Sequence, residues 1–277
     1  VSNLTGNSIS VFDPAANGDV LPLGTVAGNA TLLNAPTQLA VVGPELFVSN
    51  ANGVTVHNLH ARGNVAPKRT ISGAATTITD GRGIAVFNNE IYVTNFNPAA
   101  ILVFPAGANG NIAPTRTITG ATTLLAGPRN ISIFNNEIMV ANGGGNHLLG
   151  FPVGANGNVA PTRNISGALT TLNVPVGMLS TATDIFCDNA GSVLAFAPGA
   201  VGNTAPVRTI AGALANINDP RGLAVRGAEL FQTNFAGNRL NVFPTNANGN
   251  VAPTRSIVGA NTGLSGPSCP LIAPSVI

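Results

Sequence analysis

Apolar residues in this chain arrive in short runs and do not follow the 3.6-residue spacing of a helix over any helical length. One stretch shows the grammar clearly: Arg82 to Phe87, Glu90 to Asn95, Ile101 to Phe104 and Thr115 to Thr119. Each run is rich in Ile, Val, Phe or Thr and is bounded by Gly, Pro or Asn, which predicts four strands. Asn88-Asn89 separates the first two, and Asn tolerates the left-handed dihedrals of a tight hairpin. Asn109-Gly110 offers the same chemistry between the third and fourth. Consecutive strands are therefore predicted to be antiparallel.

The unit repeats. The stretch Ala108 to Gly120 returns in recognisable form around Gly18, Gly63, Gly110, Gly157, Gly202 and Gly249, at steps of 45, 47, 47, 45 and 47 residues. A period of this length, with four strands per unit, predicts small antiparallel sheets set radially as blades. First strands begin at Thr37, Arg82, Arg129, Val176, Arg221 and Ser268. Second strands end at Asn50, Asn95, Asn142, Asn189 and Asn234, and the missing sixth is Val1-Ser2-Asn3 at the amino terminus. The expected fold is an all-β six-bladed β-propeller, a single domain over residues 1–277, its ring closed by the two chain ends sharing one blade. In that blade Pro270 to Ile277 is expected to be the inner strand, outside it Val1 to Asn3, Ile9 to Phe12 and Gly24 to Gly28.

Composition narrows the partners. Charged residues make up 8% of the chain and the net charge is +2, with no run of basic residues, so neither nucleic acid nor an anionic membrane is favoured. Every long apolar stretch is interrupted by Gly, Pro, Asn or charge, which argues against a membrane-spanning helix. The chain starts at Val1 without a basic and apolar leader, so any signal peptide is expected to have been removed. An Asn-, Thr-, Ala- and Gly-rich composition with one Lys points to an extracellular or periplasmic location. Cys187 and Cys269 make no disulfide framework in a chain of this size.

Gly83-Ile84-Ala85-Val86, Ile91-Tyr92-Val93-Thr94-Asn95 and Ile101-Leu102-Val103-Phe104 together resemble the NHL repeat, a unit of six-bladed propellers. The resemblance covers the whole chain. It departs in ending the second strand on Asn where the repeat commonly has Asp, and in lacking the catalytic His and acidic residues of enzymatic relatives. It implies that the ligand face is the one carrying the starts of the first strands.

On that face Arg82, Arg129 and Arg221 are expected to converge near the axis, where guanidinium forks suit carboxylate or phosphate. Asn95, Asn142 and Asn234, with Asn50, are expected around them, and Phe96, His147, Phe235 and Arg239 on the adjoining loops. Two readings stand side by side for the arginines: caps that bond neighbouring loops, and a mouth that binds an anion. For the asparagines the alternatives are bonding to backbone at strand ends and lining the site.

The opposite face should carry Glu45, Glu90, Glu137, Asp184 and Glu229, either as a solvated hairpin rim or as an acidic counterpart for head-to-tail stacking. Arg69, Arg116, Arg163, Arg208 and Arg255 start the outermost strands, where charge beside Pro discourages sheet-to-sheet pairing. Phe12, Phe104, Phe151, Phe196 and Phe243 recur once per blade as expected packing between blades, and His57 replaces one of them.

Enzymatic sites fare poorly by comparison. A lactonase-like metal site needs acids gathered near the axis, and these acids fall elsewhere. A zinc site needs His ligands at matching repeat positions, which His57, His60 and His147 do not occupy. With no Trp and one Tyr, an aromatic sugar platform is also absent. The expectation is a non-enzymatic binding or assembly module without cofactor or metal, acting on a protein partner or on itself through the arginine mouth; the alternative is a lactonase-like hydrolase or lyase on the same fold.

Overall fold

Asn88 and Asn89 hold φ values of 47° and 60°, and their repeat counterparts Asn135 and Asn136 hold 50° and 60°. These left-handed pairs turn the inner strand of a blade back on the second, and the register Phe87 opposite Glu90 follows. The computed structural model, which describes residues 1–273, builds six four-stranded antiparallel sheets from such hairpins. They are the blades of an all-β six-bladed propeller.

From the inner strand outward, blade 1 comprises Leu39–Val42, Glu45–Asn50, Gly53–Asn58 and Arg69–Ser72. Blade 2 comprises Gly81–Phe87, Glu90–Asn95, Ala100–Pro105 and Arg116–Ile118. Blade 3 comprises Pro128–Phe134, Glu137–Asn142, His147–Pro152 and Arg163–Ile165. Blade 4 comprises Met178–Ser180, Ile185–Asn189, Ser192–Phe196 and Arg208–Ala211. Blade 5 comprises Pro220–Arg226, Glu229–Asn234, Arg239–Pro244 and Arg255–Ile257.

Blade 6 closes the ring. Its inner strand is Pro267–Cys269, and outside it lie Ser2–Asn3, Ser8–Val11 and Gly24–Ala27. The chain ends therefore share one blade, with Ser2 opposite Cys269 and Asn3 opposite Pro267. The inner strand falls earlier than the expected Pro270 to Ile277. The reason lies in the sequence: Pro267 is the counterpart of Pro220 and Pro128, which open inner strands, whereas Pro270 removes a backbone donor from any continuation of the ladder. The last four residues of the expected strand, 274–277, lie outside the described residues.

The core sits between blades. Phe47, Val56 and Ile71 of blade 1 pack on Ile84, Ile91 and Phe104 of blade 2, and the same seam recurs around the ring. Phe104, Phe151, Phe196 and Phe243 are fully buried in these seams, as expected for large apolar side chains.

The conspicuous repeat glycines do more than turn the chain. Gly110 has φ 82°, and from that conformation its N–H donates to Thr70 O (2.6 Å) of the preceding blade while its carbonyl accepts from Ser72 N (3.3 Å). Gly157 does the same to blade 2, and Gly18, Gly63, Gly202 and Gly249 form the corresponding parallel bridges. The next residue completes the joint: Asn111 Oδ1 accepts from Ala75 N (2.7 Å) and Asn158 Oδ1 from Thr122 N (2.8 Å). Each outer strand is thus covered by a loop of the next blade, which occupies backbone groups that an edge would otherwise expose.

Candidate functional site

The mouth is built on the residues at the starts of the inner strands, and five of their six carbonyls are tied to the preceding blade. Ser2 Oγ donates to Thr37 O, Thr37 Oγ1 to Arg82 O, and Thr94 Oγ1 to Arg129 O. Asn130 N donates to Val176 O (3.2 Å) and Thr233 Oγ1 to Ser268 O (2.9 Å). With the backbone held in this way, the three arginine side chains are presented toward the axis.

They are not equivalent. Arg82 is clamped by Asp80, with Nε to Oδ1 at 2.7 Å and Nη2 to Oδ2 at 3.1 Å. Arg221 pairs with Asp219 through Nη2 to Oδ2 at 2.8 Å. Arg129 makes no ion pair or side-chain hydrogen bond among the described residues; the Nε of all three lacks a hydrogen-bond partner, but Arg82 and Arg221 each donate through Nη2 to their aspartate. The difference is written two residues upstream, where Asp80 and Asp219 correspond to Gly127. The Asp-x-Arg spacing thus brings two acids to the mouth, against the sequence expectation that the acids fall away from the axis.

Aromatic faces complete the arrangement. The guanidinium carbons of Arg82 and Arg129 lie 5.3 and 5.1 Å from the centroid of Phe96, and that of Arg221 lies 4.5 Å from Phe235. Each is within cation–π range. Arg129 also lies against Gly143, where a Cβ would meet its Nε at 2.7 Å; any side chain at 143 would displace the guanidinium. Burial lowers the Arg129 pKa from its usual value, and the nearby positive charges of Arg221 and Arg82 lower it further. It still remains the cation at physiological pH. The mouth therefore offers one unpaired guanidinium flanked by two already paired.

Asn95, Asn142 and Asn234 are drawn to the same end of their blades but do not present polar atoms to the mouth. Asn95 Oδ1 accepts from Thr79 N (2.9 Å), Asn142 Oδ1 from Ala126 N (2.6 Å) and Asn234 Oδ1 from Asn218 N (2.8 Å). Their amide groups donate to Pro98 O (2.8 Å), Leu124 O (3.0 Å) and Gln232 Oε1 (2.9 Å) respectively. All three are buried, and their hydrogen bonds hold the loops at this end of the blades.

The floor of the mouth is Gln38, a residue sequence reading passed over. Its Nε2 donates to Ile131 O (2.8 Å), and its Oε1 accepts from Ile131 N (3.0 Å) and Ile84 N (3.1 Å). One side chain thus ties three inner strands across the axis. On its far side is an apolar cavity of about 220 Å³ lined by Leu39, Ile131, Met178 and Leu223. A separate hollow of about 300 Å³, between Ile9, Phe12, Leu46 and Phe231, involves none of the three arginines.

At the opposite end the acids are spent within the protein. Glu45 pairs with Arg69 (2.7 Å) and Lys68 (2.9 Å), Glu90 with Arg116 (2.5 Å), Glu137 with Arg163 (2.8 Å), Asp184 with Arg208, and Glu229 with Arg255 (2.6 Å). Four of those arginines also reach carbonyls of the next blade, as Arg116 does to Val153 O (2.8 Å) and Ala155 O (3.0 Å). The edge arginines are thus blade-to-blade ties, and the acids do not form a free acidic face.

Neither a family model nor a curated protein matches the chain. Solved structures do resemble it. A functionally unknown protein from Desulfotomaculum acetoxidans DSM 771 aligns over 96% of this chain and 82% of its own, at 14% identity and a TM-score of 0.60. The nidogen/laminin complex aligns over 76% of each chain, at 14% identity and a TM-score of 0.57. A computationally designed protein, Ika8, aligns over 76% of this chain at 11% identity and a TM-score of 0.49, and the chain spans 58% of its length. At 14% identity the first two likenesses show the propeller fold alone.

Proposed function

We propose that this propeller is a non-enzymatic binding module that docks an acidic group of a partner protein at the mouth, with Arg129 as the principal contact. The observation that carries the reading is the asymmetry among the three arginines: two have carboxylates of their own and the third has none. A partner carboxylate reaching Arg129 would complete the series, and charge-assisted hydrogen bonds of this kind are worth about 1.5–3 kcal/mol. The NHL-like repeat and the lysine-poor composition support an extracellular or periplasmic setting for such a module. The reading names a partner protein rather than a stacked copy, because the acids of the opposite face already have their arginines.

The test uses a panel of Glu- and Asp-containing peptides and their Gln and Asn counterparts, with the Arg129 Nε–H resonance followed by NMR. Binding is expected for acidic peptides, to weaken at least tenfold in Arg129→Gln, and to strengthen in Asp80→Asn, which releases Arg82. Equal affinity in wild type and Arg129→Gln would remove the mouth from contention. Native mass spectrometry addresses the enzymatic alternative: stoichiometric calcium or zinc in the folded protein would overturn the non-enzymatic part of the reading.

A further inference from the structure

Five of the six carbonyls that open the inner strands receive a hydroxyl or main-chain N–H from the preceding blade, as described above. The sixth is Arg221 O, at the seam of blades 4 and 5. Its one donor among the described residues is Asn130 Nδ2 at a long 3.4 Å. The residue of blade 4 that corresponds to Thr94 and Thr233, just before the terminal Asn of the second strand, is Asp188.

Its carboxyl group occupies the place of the threonine hydroxyl. In blade 2 a Cβ built on Gly83 would meet Arg129 O at 2.5 Å and Thr94 Oγ1 at 2.7 Å; in blade 4 a Cβ built on Gly177 would meet Arg221 O at 3.0 Å and Asp188 Oδ2 at 2.3 Å. The backbone of Asp188 is pinned on both sides, by Val176 N to Asp188 O and Asp188 N to Gly177 O, each 2.9 Å. The side chain is completely buried and neither oxygen has a hydrogen-bond donor. An ionised carboxylate can only accept hydrogen bonds, so beside a carbonyl it would be both unsolvated and repelled. A protonated one carries the O–H that the position supplies in blades 2 and 5.

We infer that Asp188 is a neutral carboxylic acid in the folded protein, that its O–H donates to Arg221 O, and that this bond makes the seam beneath the mouth sensitive to alkali.

The surroundings supply nothing to stabilise an anion. The titratable groups near it are the buried thiols of Cys187, the adjacent residue of its strand, which packs on the blade 3 side, and of Cys269, on the inner strand of blade 6; the neighbouring inner and third strands of blade 4 carry no titratable side chain. On blade 5, Arg221 turns its guanidinium to Asp219 and Phe235, and Arg226 is exposed at the far end of its strand. Burial alone drives the Asp188 pKa well above the carboxylate range, in agreement with the geometry. The sign follows from linkage. A folded pKa raised above the unfolded one, about 3.9, gives a contribution that is complete below the unfolded value and is lost as pH rises toward the folded value.

The experiment compares wild type with Asp188→Thr and Asp188→Asn in urea unfolding across pH, and records the infrared spectrum of wild type at neutral pH. Asp188→Thr installs the hydroxyl that Thr94 and Thr233 use and does not titrate. Its stability advantage over wild type is expected to widen with pH above about 5, approaching a tenfold change in the unfolding constant per pH unit. A carboxylic-acid C=O band should be present in wild type and absent from whichever variant folds. A gap that does not change with pH, no such band, or stabilisation of wild type alone by added calcium or sodium would each overturn the inference, the last by identifying an ionised, cation-bound Asp188.

Discussion

At the scale of single residues, the informative positions are those where one repeat breaks the pattern of the others. His57 holds the place of the blade phenylalanines, buried opposite Leu46 on the side of blade 1 that faces blade 6, with neither ring nitrogen hydrogen-bonded. Burial lowers its pKa, so the ring is a neutral, unsatisfied polar group in an apolar setting. Replacing it with the residue the other blades use should recover on the order of 1 kcal/mol. A lower urea midpoint for His57→Phe would contradict this. Arg129 breaks its pattern in the other direction, by lacking the acid two residues upstream, and Asp188 breaks it by putting a carboxyl where its equivalents carry a hydroxyl. None of these departures is a motif. Each becomes legible only when the chain is read as an alignment of itself.

At the scale of elements, the outer strand of each blade is tied to the next by a glycine bridge, an Asx side chain and, in most blades, an arginine. Glu45 shows how the charged part of this joint should respond to acid. Hydrogen bonds from Arg69 lead in lowering its pKa to about 2, against the smaller opposing effect of burial. A depressed folded pKa means the stabilisation is present above the unfolded value, near 4.5, and disappears as pH falls toward 2. Glu45→Gln should therefore be less stable than wild type at neutral pH, and the difference should shrink to nothing near pH 2; a gap of constant size would show that the ion pair is not its source. The strands and turns of these elements were legible because Asn88-Asn89 and Asn109-Gly110 encode local dihedrals. The partners of the charges were not, because Arg116 reaches acid 26 residues away in its own blade and carbonyls 37 and 39 residues away in the next. No local rule selects among such partners.

At the scale of the molecule, closure by two chain ends makes the ring depend on a short strand pairing. Truncation after Ser265, which removes Pro267–Cys269, should lower the melting temperature and leave Ser2–Asn3 as an unpaired edge that promotes association. An unchanged melting curve with monomeric elution would refute the dependence. That the ends share a blade was determined by counting: five second-strand endings against six first-strand beginnings require the sixth at the amino terminus. Period, blade number, turn positions and the seam phenylalanines follow from the sequence by itself, since each rests on local dihedral preference or on repetition, and repetition multiplies a weak local signal. Only the tertiary structure decided what each polar side chain faces. The axis gathers Gln38, Ile84 and Ile131 from three blades, satisfies Arg82 and Arg221 but not Arg129, and sets Asp188 against a carbonyl, because hydrogen-bond partners are chosen by distance in space, which the order of residues along the chain does not contain.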